Sequence, residues 1–281
     1  MGGVSDTELD SVDQRLVSRL EGASRLGSGA LVALGVTVLL GWWLHVPALI
    51  RLSPGFAAMK PNTAFCFICL GGAIYSLRNR NPALRRVLRF APWVVLSVAG
   101  STLLEYALGL NLRFDTWLVG EASSALLPTR MTPGAAIHFG LIALALLLFD
   151  TRIERYRQRP SEWLVFIVGM SSCAVLLGYF YGVSSVYSVR LFASMALHTA
   201  VGFVLCAGCI LCARPERGVL RLIFSRTAGG VLARRLLPPV FLVPTFLGWF
   251  RVKGQHAELF GTAFGTAIFA ASCMACLSFL I

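Results

Sequence analysis

Leu40-Gly41-Trp42-Trp43 is followed by Asn62-Thr63-Ala64-Phe65, and this ordered pair of short patterns returns three more times along the chain. The first pattern recurs as Leu104-Glu105-Tyr106-Ala107, Leu177-Gly178-Tyr179-Phe180 and Leu247-Gly248-Trp249-Phe250. The second recurs as Gly134-Ala135-Ala136-Ile137, His198-Thr199-Ala200-Val201 and Gly261-Thr262-Ala263-Phe264. Successive units start roughly 64 to 73 residues apart. That is longer than any soluble solenoid repeat and familiar from membrane bundles.

Working outward from the repeat, the apolar residues decide where it lives. Of 281 residues, 57% are hydrophobic and only 14% charged, with a mean hydropathy of +0.74. One water-soluble core cannot hide that much apolar surface. Apolar stretches of about 17 to 24 residues, enough to cross ~30 Å of hydrocarbon, centre near residues 38, 69, 101, 140, 172, 204, 243 and 269. The expectation is an all-α integral membrane protein with eight transmembrane helices arranged as four helical-hairpin repeats. Residues 28–281 form this membrane domain. Residues 1–27 form a polar leader, where Ser5 and Glu8 make a capping box and Leu9, Val12, Leu16 and Leu20 follow at helical spacing. The leader reads as an amphipathic helix on the inner membrane surface or as a disordered tail.

The formal charge of +12 would suggest nucleic acid in a soluble protein, but the basic residues cluster in alternate loops. Arg15, Arg19 and Arg25 precede the first span, and Arg78 through Arg89 follow the second. Arg152 through Arg159 follow the fourth, and Arg214 through Arg235 the sixth. The intervening loops hold few, among them Arg51, Lys60, Arg130 and Arg251. Positive loops stay inside, so both termini are expected in the cytoplasm, the membrane is expected to be the inner membrane, and anionic lipids are the expected partners of the basic loops. Pro61 and Pro133 fit the first turns of spans two and four. Pro92 and the pair Pro238 and Pro239 are expected to open spans three and seven, with Pro244 kinking the latter. The loop from Asn111 to Arg130, carrying Asp115, Trp117 and Glu121, suits a short interfacial helix or lid.

The topology puts all four histidines, His45, His138, His198 and His256, near the outer ends of their helices. Counting ~1.5 Å per residue places Glu105, His138 and His198 within roughly 8 Å of one outer boundary. An ionisable group in hydrocarbon must face protein or water, so Glu105 needs a partner. Glu105 also replaces the glycine of the other three units, and His198 stands where they have Asn62, Gly134 and Gly261. These breaks suggest an outward-facing pocket between spans three, four and six, lined by Glu105, His138 and His198 with Asn62, Tyr106 and Tyr179 around it. The competing reading is that these groups only hydrogen-bond between helices.

Three ligand chemistries suit such a pocket. His138 and His198 could ligate a haem iron. A quinone could use Glu105 or a histidine, with the Trp42, Trp43, Tyr179 and Trp249 aromatics for its ring, although belt aromatics are ordinary at a membrane interface. Copper or zinc is the third, since Met59, Met131 and Met195 share one repeat position; a repeated methionine is more often packing than ligand. The cysteines at three-residue spacing, Cys66 and Cys69, Cys206, Cys209 and Cys212, and Cys273 and Cys276, sit where close helix packing wants small residues. No Walker loop, dinucleotide fingerprint, nucleophile elbow or HExxH occurs, so the expectation is not an enzyme.

The stretches MKPNTAF (59–65), RMTPGAA (130–136), SMALHTAVGF (194–203) and ARPERG (213–218) resemble the multi-span N-terminal sensory regions that precede PAS, histidine kinase and diguanylate cyclase modules in bacterial signalling proteins. LLEYALGLNLRFD (103–115), LGYFYGVSSVY (177–187) and LARRLLP through GWFR (232–251) are similar to that family too. The resemblance implies an input module whose last helix feeds a cytoplasmic kinase or cyclase output module, fused or separate, with a second copy of the chain as a further candidate partner. The sequence stops at Ile281, where that family continues into a linker and output domain, so the chain reads as part of a longer sensor or as a membrane part acting through another subunit. The alternatives are a stand-alone membrane subunit that binds a cofactor or packs into a larger complex, and a transporter, which the lack of a charged path through the bilayer centre disfavours.

Overall fold

A backbone in hydrocarbon must satisfy its own hydrogen bonds, and every regular element among the described residues is helical. The computed structural model describes residues 14–53, 56–77, 79, 81–109, 130–151, 159–182, 195–215, 218–225 and 227–280. The helices are α1 (Gln14–Trp43), α2 (Pro47–Ile50), α3 (Pro61–Ser76), α4 (Pro82–Leu88), α5 (Ala91–Leu108), α6 (Pro133–Leu147), α7 (Pro160–Tyr181), α8 (Leu197–Cys212), α9 (Gly218–Phe224), α10 (Ala228–His256) and α11 (Thr262–Leu280). Four stretches are long and apolar enough to cross a membrane: Arg15–Trp43, Pro82–Leu108, Pro160–Tyr181 and Ala228–Gln255.

Helix starts follow the turn chemistry. Pro61, Pro133 and Pro160 sit in first turns, where the missing amide hydrogen costs nothing. Asn81 caps α4 by accepting from Ala83 and Leu84, and α5 begins at Ala91 with Pro92 in its first turn. Two expectations shift. The polar leader from Gln14 onward is continuous with the first span, with no break near Gly27, while the capping box at Ser5 and Glu8 lies outside the described residues. Pro238 and Pro239 do not open the seventh span: Thr227 caps α10 through the Gly230 amide, so the helix starts ten positions earlier and both prolines lie inside it with Pro244. The proposed lid at Asp115, Trp117 and Glu121 lies outside the described residues.

Six helices close on themselves. α1 packs on α3, α3 on α5, α5 on α6, α6 on α7, α7 on α8, and α8 back on α1. α3, α6 and α8, the second helices of the first three hairpins, also touch one another and so surround a threefold-like axis. Small residues permit the close approaches. A Cβ at Gly71 would sit 2.8 Å from the Ser28 carbonyl oxygen of α1. Gly27 lies under the Cys209 sulfur of α8, and the Ser24 hydroxyl donates to the Cys209 carbonyl at 2.7 Å. Buried Cys206 and Cys209 thus fill a helix interface.

The fourth hairpin, α10 and α11, stands outside this ring. α10 meets α7, where the Tyr181 hydroxyl donates to the Thr245 carbonyl at 2.9 Å. Its buried positions among the described residues are Gly230, Gly248, Gly254 and Gly265, so no described side chain of this hairpin is buried in the core.

Candidate functional site

The two repeated patterns meet at the end of the bundle where the inner helices begin. In the first hairpin the Trp42 indole N–H donates to the Met59 carbonyl at 2.9 Å. In the second the Tyr106 hydroxyl donates to the Met131 carbonyl at 3.2 Å, and in the third the Tyr179 hydroxyl donates to the Met195 carbonyl at 2.7 Å. The same latch therefore closes three hairpins. It answers a physical need: α3, α6 and α8 have only 16, 15 and 16 residues, about 24 Å at 1.5 Å per residue, shorter than the ~30 Å hydrocarbon core. Non-helical backbone entering at that depth must be buried in protein and hydrogen-bonded. Met59, Met131 and Met195 are buried, and the aromatic donors satisfy their carbonyls.

One turn and a half further in, Phe67, Phe139 and Phe203 meet at ring-centroid separations of 4.9, 5.2 and 4.6 Å, all fully buried. They occupy one repeat position, five residues after Asn62, Gly134 and His198. The fourth unit has Thr266 there and Glu258 where the others have methionine. Extending the repeat alignment by one helical turn would have found this triad.

Most of the residues expected to line one pocket have partners of their own in the bundle. Glu105, buried on α5, pairs with Arg130 at 3.2 Å, and the guanidinium lies 4.3 Å from the Tyr106 ring centroid. Tyr106 and Tyr179 serve as latches, which directs their hydroxyls to backbone carbonyls. His138, on α6, lies 2.6 Å from the Gly134 carbonyl through Nδ1 and 2.6 Å from the Ser171 hydroxyl of α7 through Nε2. A carbonyl can only accept, so Nδ1 carries the proton, and in the neutral ring Nε2 accepts from Ser171. Ser171 has a second acceptor in the Ile167 carbonyl at 2.8 Å. An iron or copper at His138 Nε2 would have to displace that serine, while the Nδ1 bond to a carbonyl is the usual support of a ligating imidazole. His198, in the first turn of α8, hydrogen-bonds the Ile50 backbone, and its buried Nε2 has no partner among the described residues. Asn62 is buried in the first turn of α3. Among the described residues no three His, Cys, Asp or Glu side chains are grouped to hold a metal.

A cavity of about 480 Å³ opens between α10 and α11, lined by Leu247, Phe250, Arg251, Phe260 and Phe269 among others. Arg251, which lines it, has its Nε buried without a partner among the described residues, and Lys253 lines it as well. No protein-family model, curated protein or solved structure matches the chain.

Proposed function

We propose that the chain is a bacterial inner-membrane sensory input module. In this reading it crosses the bilayer eight times as four hairpins with both termini in the cytoplasm, detects a stimulus near the outer leaflet, and passes it to a kinase or cyclase output module, fused or separate. The observation that carries it is the asymmetry of the repeat: three hairpins share latch, methionine and phenylalanine and close into a ring, and the fourth has none of these and is held at α7. A rigid reference with one weakly held hairpin suits a signal relay, since a ligand acts only by favouring one of two arrangements. The basic loops and the motif resemblance support the topology and the family. The test joins Tyr181→Cys and Thr245→Cys with a short thiol crosslinker, in a cysteine-free chain fused to a cyclase output. The crosslink should abolish the response to a stimulus; an undiminished response would contradict the relay.

A second reading draws on the cavity between α10 and α11. Its aromatic walls and the polar heads of Arg251 and Lys253 suit a flat or chained amphiphile such as a quinone, which would make the chain a cofactor-binding subunit. Extraction of the purified protein would recover stoichiometric quinone in that case. A colourless extract without quinone would remove it.

A further inference from the structure

The end of α10 gathers positive charge where the chain has little to answer it. Arg251 and Lys253 stand in its last turns, and Glu258 is the sole acidic residue after Glu216. Glu258 is exposed on the turn that follows, and it is not among the residues around the cavity, whereas Arg251 and Lys253 both are. Among the described residues no ion pair or hydrogen bond engages Arg251, and its Nε is buried. The Lys253 ammonium meets the Trp249 ring at 5.9 Å and no carboxylate among the described residues. A cation held against apolar surface at membrane depth is costly, and such residues mark ligand sites.

Inward of the two cations the wall is apolar. Phe260 is pressed against two glycines: a Cβ at Gly254 would lie 2.4 Å from its ring, and one at Gly265 2.8 Å. On α11 the lining continues from Gly265 through Ile268 and Phe269 to Ser272, about 10 Å along the helix. The cavity is open at its side, because the lining residues Phe250, Leu259 and Ile268 are 63%, 75% and 45% exposed. In a bilayer that side is hydrocarbon. An apolar cavity of about 150 Å³ holds one benzene; about 480 Å³ therefore holds roughly three times six carbons, the size of one long acyl chain. The two chains of a phospholipid are too large for it.

We propose that the cavity between α10 and α11 binds one long-chain fatty carboxylate drawn from the bilayer, its head on Arg251 and Lys253 and its chain along Phe260 and Phe269. A guanidinium suits a carboxylate, which it can hold through two parallel hydrogen bonds, and the apolar wall takes the chain. A quinone fills the same volume, but its neutral head leaves both cations uncompensated. A free anion compensates the cations and leaves the apolar wall empty. The site goes beyond the sensory reading and replaces the quinone of the second reading by an anionic amphiphile; it stands whether or not the chain signals.

The test uses the full chain, purified in a nonionic detergent and stripped of lipid, with radiolabelled palmitate as the probe. Binding should saturate at one palmitate per chain. Hexadecanol, which has the same chain length and a neutral head, should compete at least tenfold more weakly. Arg251→Gln with Lys253→Gln should weaken palmitate at least tenfold, and so should Ser272→Phe, which fills the apolar end and leaves both cations in place. Arg235→Gln, at the other end of α10, should bind as the parent chain does. Circular dichroism melts establish that each variant is folded, and the hexadecanol comparison needs no variant, so it decides even where a substitution fails to fold. Binding that does not saturate, equal competition by hexadecanol, or full binding by either folded variant would overturn the proposal. So would phosphatidylglycerol displacing palmitate as well as palmitate itself does, which assigns the cations to a phospholipid headgroup. A short-tailed benzoquinone that binds tighter than palmitate would overturn it in favour of the quinone.

Discussion

α7 and α10 are both long apolar helices opening a hairpin whose sequence carries the Leu-Gly-aromatic pattern, yet 28% of the apolar window of α7 is buried inside the protein against 6% for α10. The difference lies in what each pattern has to bind. Tyr179 finds the Met195 carbonyl, whereas Trp249 lies against its own neighbour Phe250 and 5.9 Å from the Lys253 ammonium. A repeated motif gives the hairpins the same local pattern; only the partner residues decide which hairpins enter the core.

The largest effect should come from the phenylalanine triad. Phe139→Ala should destabilise the protein by about 3–5 kcal/mol through the cavity it leaves. Phe264→Ala, on the exposed face of α11, should stay within about 0.5 kcal/mol. Thermal or denaturant unfolding in one detergent measures both, and similar losses would erase the distinction between ring and fourth hairpin.

Next comes the Glu105–Arg130 pair, which the fourth hairpin lacks because Gly248 stands at that position. Arg130→Met takes the guanidinium away from a buried carboxylate. The cost should be about 2 kcal/mol, below the full value for a buried pair because the arginine side chain is 30% exposed. Glu105→Gln added to Arg130→Met should recover most of that loss, and a purely additive double variant would show that the two groups are not coupled.

The latches sharpen the comparison at smaller scale. Tyr179→Phe strands a buried carbonyl and should cost about 1–2 kcal/mol. Tyr106→Phe should cost less, its bond being longer at 3.2 Å and its ring more exposed. Trp249→Phe should be silent within about 0.5 kcal/mol. A costly Trp249→Phe would mean that the fourth hairpin has a latch of its own.

Much of the architecture was legible in the sequence because apolar length, proline placement and repeat spacing are local signals. The helical state and the hairpin pairing follow from them. The ring was not legible, since closure of α8 on α1 depends on which glycines meet which carbonyls, and Gly27 with Cys209 is a pairing no spacing announces. At the candidate site, the demand that Glu105 find a partner was readable from membrane energetics, but the partner was not, because Arg130 stood among the outer-loop charges that served as topology signals. Tyr106 and Tyr179 read as pocket walls because their latch acceptors are backbone carbonyls, which sequence motifs do not display.

The central claim is that three hairpins form a self-sufficient core to which the fourth is attached. Ending the chain at Thr227 removes α10 and α11 and tests it most directly, by circular dichroism melting and size-exclusion chromatography of the purified six-helix form. The account expects a monodisperse helical protein that melts within about 4 °C of the full chain, the shift equivalent to roughly 1 kcal/mol at this size. Aggregation, or loss of the cooperative transition, would contradict it.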